Sequence, residues 1–256
     1  MMLREAKEED YKDIYEIASL TWEGHDYLTD VFKSWLTDGT FFVIEENGKV
    51  VATAKLTRLP CNVGWFEGLR VHPKYRGRGY ARLLHEHLIS LAREEGFSKA
   101  MYATYFKNGA SIHLAEKYGF KLAHKFHNLM YNPEELREPV KCDIRLPNVD
   151  PIPVGWRFVY RCDETLEWIK KRVRSFCSES SGFFTPSDPP RAFTPSSYDL
   201  DAMLSSVSYM GWVAGSGRKV NLLVPEGHPS VQGLFERGFT QWEGTEPDVY
   251  VFSLDL

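Results

Sequence analysis

No stretch of this 256-residue sequence stays apolar for the roughly 20 residues a membrane-spanning helix needs. The opening run from Met1 to Asp10 is charged where a secretory leader would be apolar. A cytoplasmic protein with no membrane partner is therefore expected. A formal charge of −4 provides no basic field for following phosphates, which argues against a nucleic-acid partner. The four cysteines, Cys61, Cys142, Cys162 and Cys177, contain no C-x-x-C pair. A zinc or redox motif is thus unsupported, and ordinary buried thiols are expected. His85 and His87 fall on different faces of an expected helix, and His124 and His127 on opposite faces of an expected strand, so no metal site is expected. What remains is 43% hydrophobic and 26% charged, the profile of a globular protein with one large or two ordinary domains.

The pattern predicts a strand at Met2–Ala6 and a helix at 11–20 capped by Asp10. A second helix follows from about Asp26 or Asp30 to Leu36. Thr40–Glu46 and Lys49–Leu59 flank Asn47-Gly48, the turn chemistry of a two-residue hairpin. A strand at Gly64–Val71 precedes Pro73. The period then becomes helical, with Ala81, Leu84, Leu88, Leu91 and Ala92 on one face and Gly96 as the stop. A strand at Lys99–Tyr105, a helix at Gly109–Tyr118 and a strand at Leu122–Tyr131 complete a first domain, 1–131. Residues 132–155 carry five prolines and read as a connector. In 156–256 the pattern predicts a strand at Trp156–Arg161, a helix from Asp163 through Cys177, and a Ser-, Pro- and Phe-rich loop over 178–197. Residues 108–120 align with 227–239 at an offset of 119, each preceded by an apolar strand and ending in Gly-Phe, which we read as a partial internal duplication.

The chemistry concentrates between Leu69 and Ala81. There a strand ends, Pro73 turns the chain, and Arg76-Gly77-Arg78-Gly79 opens an amphipathic helix. Backbone N–H groups at a helix start lack intrahelical partners and carry the positive end of the helix dipole. Glycine lets an anion approach closely, and two arginines add charge, so the segment reads as a pyrophosphate cradle. A Walker loop is absent, and a dinucleotide fingerprint would need glycine where Arg82 stands.

This segment resembles the acyl-CoA motif of the GNAT superfamily of N-acetyltransferases, with Arg76, Gly79 and Ala81 matching its R-x-x-G-x-A core. Asn108, Ser111, Gly119 and Phe120 match the family's downstream element, and Leu3 to Ala6 with Asp10 fits its opening. The resemblance implies an α/β (α+β) fold: a mixed central sheet flanked by helices, with a second, smaller GNAT-like α/β domain over 156–256. It also implies acetyl-CoA as co-substrate, held by Leu69, Arg70, Val71, Arg76, Gly77, Arg78, Gly79, Tyr80, Ala81, Asn108 and Ser111. In such a fold the strand at 64–71 splays from the strand at 99–105 to admit the pantetheine arm. Glu67, on the strand face of Leu69 and Val71, is the candidate base that deprotonates an ammonium. The family commonly has a tyrosine acid seven residues after the asparagine, and here that position is Ala115. Tyr105 and Tyr118 are the alternative acids, or the thiolate leaves unaided.

Glu23, Asp26 and Tyr27 lie where the family binds its acceptor, and the stretch from Thr21 to Leu36 resembles the histidine N-acetyltransferase-like branch. The expected partner is a small amine or amino acid, and the expected assembly a monomer or homodimer. The C-terminal half has no R-x-x-G-x-A. Its aromatic segment, Phe183 to Phe193, is expected to cover the acceptor side. Two further readings stand beside this one: a protein N-terminal or lysine acetyltransferase, and a catalytically idle acyl-CoA-binding module that Ala115 keeps in play.

Overall fold

The structure is a computed structural model of the chain, and it describes all residues except 22, 23, 25, 180, 187–191 and 216–218. By contacts the chain divides into two units, 1–102 with 117–119 and 253–256, and 103–116 with 120–252. No described helix is long and apolar enough to cross a membrane.

The first unit contains β1 (Met2–Glu5), α1 (Tyr11–Ser19), α2 (Leu28–Asp38), β2 (Phe41–Glu46), β3 (Lys49–Leu59), β4 (Val63–Val71), α3 (Tyr80–Glu94) and the start of β5 (Lys99–Tyr105). The strands lie in the order β1-β2-β3-β4-β5, antiparallel except for β4 and β5. Parallel neighbours need a crossover, which α3 provides. Asn47 and Gly48 both take positive φ, 54° and 76°, and close the expected hairpin.

Register sorts the strand residues onto two faces. Phe41 lies opposite Lys55 and Val43 opposite Thr53, while Phe42 lies opposite Ala54 and Ile44 opposite Ala52. The face of Phe41 and Val43 packs on α1 and α2 around Ile14, Ile17, Leu28, Phe32 and Trp35, all buried. The other face meets α3, where Leu84, Leu88 and Ala92 of the expected stripe are buried. There the Phe42 ring lies 4.4 Å from that of His87, and the Phe66 ring 5.6 Å from that of His85. Asp10 stands at the start of α1, but its carboxylate caps nothing there. It accepts two bonds from Arg4, at 2.7 and 2.8 Å, and one from the Lys7 N–H at 2.8 Å. A bidentate guanidinium outcompetes one helical N–H for the same oxygens.

The second unit contains α4 (Gly109–Lys117), β6 (Lys121–Tyr131), β7 (Val140–Lys141), β8 (Ile152–Val154), β9 (Arg157–Val159), α5 (Thr165–Lys170), β10 (Val173–Cys177), β11 (Gly182–Pro186), β12 (Ala192–Pro195), α6 (Leu200–Ala214), β13 (Val220–Pro225), α7 (Ser230–Glu236) and most of β14 (Val249–Asp255). Its strand order is β14-β6-β13-β12-β11-β10-β7, with β8 and β9 as a separate hairpin. The pairing of β12 with β13 is parallel, with α6 as the crossover. The core gathers Phe176, Phe183, Phe193, Met203, Val207, Met210, Val220 and Leu222.

Several expectations are corrected here. The helix foreseen through Cys177 stops at Lys170, and β10 follows. The loop foreseen over 178–197 contains β11 and β12, and the apolar helix α6 was not foreseen. Phe183, Phe184 and Phe193 are at most 2% exposed, in this unit's core rather than on an exposed loop. None of the four cysteines is a free thiol. Cys142 and Cys177 are joined, with Cα atoms 5.7 Å apart, because β7 pairs with β10 and brings together positions 35 residues apart in sequence. Sequence spacing carries no information about such a pairing.

Candidate acyl-CoA and acceptor site

The first unit holds a built turn between β4 and α3. His72 is buried and caps a short 3-10 turn, Pro73–Tyr75, in which proline occupies the first position. Arg76, Gly77 and Arg78 are exposed, and Gly79 is the N-cap of α3. Gly77 and Gly79 have φ of 78° and 84°, a left-handed backbone in which a side chain is strained. Nothing lies within 4 Å of the position a Cβ on Gly77 would take, so the space before the helix is open. The Gly79 carbonyl accepts the Leu83 N–H at 3.0 Å. The N–H groups of Tyr80, Ala81 and Arg82 precede the first intrahelical donor and point out of the helix start. Arg76 Nε donates to the Val71 carbonyl at 3.3 Å, and Arg78 Nη1 to Glu46 at 3.2 Å, its guanidinium lying 4.9 Å from the Tyr75 ring. Tyr80 is buried, and Ala81 is half-buried one position into the helix. Burial and the nearby Glu46 carboxylate raise the Tyr80 hydroxyl above its ordinary value, so it is neutral at physiological pH. The donors and charges fit a pyrophosphate.

The parallel ladder of β4 with β5 comprises Val63–Lys99, Gly64–Ala100 and Trp65–Met101, and β4 runs on to Val71 beyond it. A ladder that ends early on this side is what the expected splay requires of β4. Half-buried Leu69 and Val71 lie in that free stretch.

A β-bulge in β4 rearranges the faces. Arg70 lies opposite Thr53 and Glu67 opposite Lys55, so β4 uses three steps where β3 uses two. Gly68 sits in the bulge with φ 66°, and its carbonyl accepts from Thr53 Oγ1 at 2.7 Å. A Cβ there would lie 2.4 Å from the Trp35 ring. Glycine is therefore required by both conformation and space. The extra residue reverses side-chain parity. Glu67 shares its face with Arg70, Thr53 and Lys55, whereas Val71, opposite Ala52, lies on the other face. The expectation that Glu67 and Val71 share a face is corrected, because alternation read from sequence cannot include a bulge.

On the face of α1 and α2 these residues form a polar group. Thr57 Oγ1 donates to Glu67 at 2.5 Å. Lys55, fully buried, donates to the Gly39 carbonyl at 2.7 Å and lies 3.2 Å from Asp38. Asp26 accepts from Arg70 Nε at 2.5 Å and from the Leu28 N–H at 3.1 Å, and the Arg70 guanidinium lies 5.6 Å from the Tyr27 ring. Asp26, Tyr27, Glu67 and Arg70 thus meet on one face, while Glu23 lies outside the described residues. Lys55, Thr57, Gly68 and His72 were not singled out from sequence. A lysine flanked by Ala54 and Leu56 in β3 was the available signal.

Tyr118 donates to Glu86 on α3 at 2.5 Å, and its ring lies 5.2 Å from that of His85. Burial and the Glu86 carboxylate push its hydroxyl up to about 12. The remaining predicted residues belong to the second unit. Asn108 Nδ2 donates to Thr104 at 3.0 Å, and its carbonyl oxygen takes a long bond from the Ser111 N–H at 3.4 Å, which ties the start of α4. Tyr105 packs on Trp242, ring centroids 5.3 Å apart, and burial with Glu243 raises its hydroxyl above the ordinary value. Ala115 is fully buried in α4.

Residues 8–120 match the model of the acetyltransferase (GNAT) family. Histidine N-acetyltransferases of Oreochromis niloticus and Scomber australasicus are each 35% identical over 82 residues, 31% of this chain. The match spans about a quarter, 24%, of those relatives' length. A candidate acetyltransferase of Thermoplasma acidophilum superposes over 100% of both chains with a TM-score of 0.66 at 17% identity. One of Pyrococcus horikoshii does so over 100% of this chain and 89% of its own, with a TM-score of 0.66 at 14% identity. At these identities the likeness establishes the fold, a mixed α/β architecture shared along the whole chain. Residues 8–120 thus carry an acetyltransferase (GNAT) family domain, with the glycine-rich turn at the start of α3 and the early-ending β4–β5 ladder inside it.

Proposed function

We propose that this protein is an N-acetyltransferase that moves an acetyl group from acetyl-CoA directly to a primary amine, the acceptor being a small amine or amino acid. The observation that carries the reading is the turn Arg76–Gly79, with two left-handed glycines, open space at Gly77 and two exposed arginines at a helix start. Acetyl-CoA, when bound, supplies a thioester whose carbonyl carbon takes the amine nitrogen as its C–S bond breaks. The chain's part begins at that turn, which binds phosphates through backbone N–H groups with Arg76 and Arg78. Backbone groups of Leu69 and Val71 orient the arm. An N–H of β4 stabilises negative charge developing on the carbonyl oxygen.

Glu67 takes the ammonium proton, its carboxylate aimed by the Thr57 hydroxyl. Asp26 and Tyr27 offer an acceptor the Arg70–Asp26 pair and an aromatic face rather than a lone carboxylate. Tyr118 holds its proton at neutral pH, so it is a neutral donor. Because a thiol ionises near pH 8.5, the thiolate also leaves without one. The match to histidine N-acetyltransferases supports an amino acid acceptor. We place the protein in the cytoplasm as a monomer or homodimer. Its disulfide-bonded cysteines then call for a cytoplasm that retains protein disulfides, as in hyperthermophiles.

The test is thiol release from acetyl-CoA against free amino acids, polyamines and short peptides. Turnover with free amines supports the reading, and turnover with peptides alone turns it to a protein acetyltransferase. A second reading, a binding module without turnover, rests on buried Ala115 at the position of the family's tyrosine. Tight acetyl-CoA binding without thiol release for any acceptor selects it.

A further inference from the structure

The cradle is an exposed, glycine-rich turn, and such a turn is mobile unless something fixes it. From His72 to Gly79, His72 is the fully buried residue, 1% exposed. Its Nδ1 accepts the Lys74 N–H at 3.2 Å. Nδ1 therefore carries no proton, and Nε2–H donates to Glu16 on α1 at 3.0 Å. Glu16 also takes Lys49 Nζ of β3 at 2.7 Å. The two contacts, Lys49 first and His72 second, pull Glu16 down to about 2, so it stays an anion and keeps the imidazole in this tautomer. The His72 ring also meets Tyr75 at 5.4 Å, and Tyr75 carries Arg78 on its face at 4.9 Å. One ring thus ties α1 and β3 to the backbone and to a cation of the turn.

We propose that His72 is a positioning residue for coenzyme binding: its Nδ1 cap on Lys74, held in tautomer by Glu16, sets the Arg76–Gly79 turn before an anion arrives. The inference rests on the reading of that turn as the acyl-CoA cradle.

Two substitutions separate the two ring nitrogens. His72→Asn retains an acceptor near Nδ1 but cannot reach Glu16. His72→Gln retains a donor toward Glu16 but offers no acceptor to Lys74. Acetyl-CoA affinity by calorimetry should weaken about fivefold to tenfold in His72→Gln, the size of one capping bond, and stay within about twofold in His72→Asn. kcat and acceptor KM should change little in either. In the free protein, hydrogen exchange over 74–79 should speed up in His72→Gln and not in His72→Asn, a readout independent of turnover. Equal affinity and exchange in both variants and wild type would overturn the inference alone. Equal weakening in both, in step with a shared fall in thermal stability, would reduce His72 to a structural role. If wild type itself binds no acetyl-CoA, the functional reading falls and takes this inference with it.

Discussion

The chain runs twice through one element order, β2-β3-β4-α3-β5-α4 and then β10-β11-β12-α6-β13-α7. In both runs an antiparallel set ends in a strand that pairs in parallel with the next, across a 15-residue helix. The runs differ where the crossover helix begins. Before α3 stand Arg76-Gly77-Arg78-Gly79, with exposed cations and left-handed glycines. Before α6 stand Ser196-Ser197-Tyr198-Asp199. Asp199 is an extended N-cap, Asp201 lies in the first turn, and Tyr198 is buried with its hydroxyl donating to the Leu223 carbonyl of β13 at 2.9 Å. An acidic N-cap suits the helix dipole but repels a phosphate. A buried tyrosine bonded to the next strand plugs that second helix start. On the proposed reading of the first run as a coenzyme site, a handful of residues at a helix start separate a ligand-binding end from a plugged one.

The largest effect that would break this comparison is on binding. Reversing both Arg76 and Arg78 to Glu should weaken acetyl-CoA binding by about 100-fold or more, since two attractive contacts become repulsive. Asp199→Arg in the second half should leave the stoichiometry at one coenzyme per chain. Calorimetry reads both, and a second site in the latter would refute the plugged reading. Next comes Glu67→Gln, expected to lower kcat by about 10² to 10⁴ with acetyl-CoA affinity unchanged. A normal rate at saturating acceptor would remove Glu67 from the chemistry.

A smaller effect concerns stability. Gly68→Ala should cost about 2–3 kcal/mol by denaturant unfolding, from strain at positive φ and the clash with Trp35. Buried His85 lies against Phe66, Tyr102 and Tyr118, and burial lowers it to about 4. Its folded state favours the neutral ring, so the stability it confers is present above its unfolded value, near 6.5. That stability is lost as pH falls from about 6.5 to about 4. His85→Phe should flatten that part of the pH profile, and an unchanged slope would assign the loss elsewhere. The smallest effect is Tyr198→Phe, about 1 kcal/mol for one buried hydrogen bond, with no gain of coenzyme binding because the ring still fills the space.

Much of the first run was legible in sequence because its signals are local. The helical period of α3, the Asn47-Gly48 turn and the R-G-x-G segment each act over a few neighbouring residues. The second run was legible mainly at α7, where a Gly-Phe stop repeats. β11 and β12 were hidden because prolines and serines at sheet margins read as loop, and α6 because it is apolar on most faces and shows little periodicity.

By itself the sequence pointed to an acetyltransferase (GNAT) domain and to the Arg76–Gly79 turn with its backbone donors, since backbone geometry at a glycine-rich helix start depends on residues adjacent in the chain. Only the tertiary structure decided which face Glu67 occupies, that Asp26 is engaged by Arg70, that Cys142 meets Cys177, and that His72 underpins the turn from α1. Each of these depends on a bulge, a register or a packing contact between residues distant in sequence, and no local pattern encodes those distances.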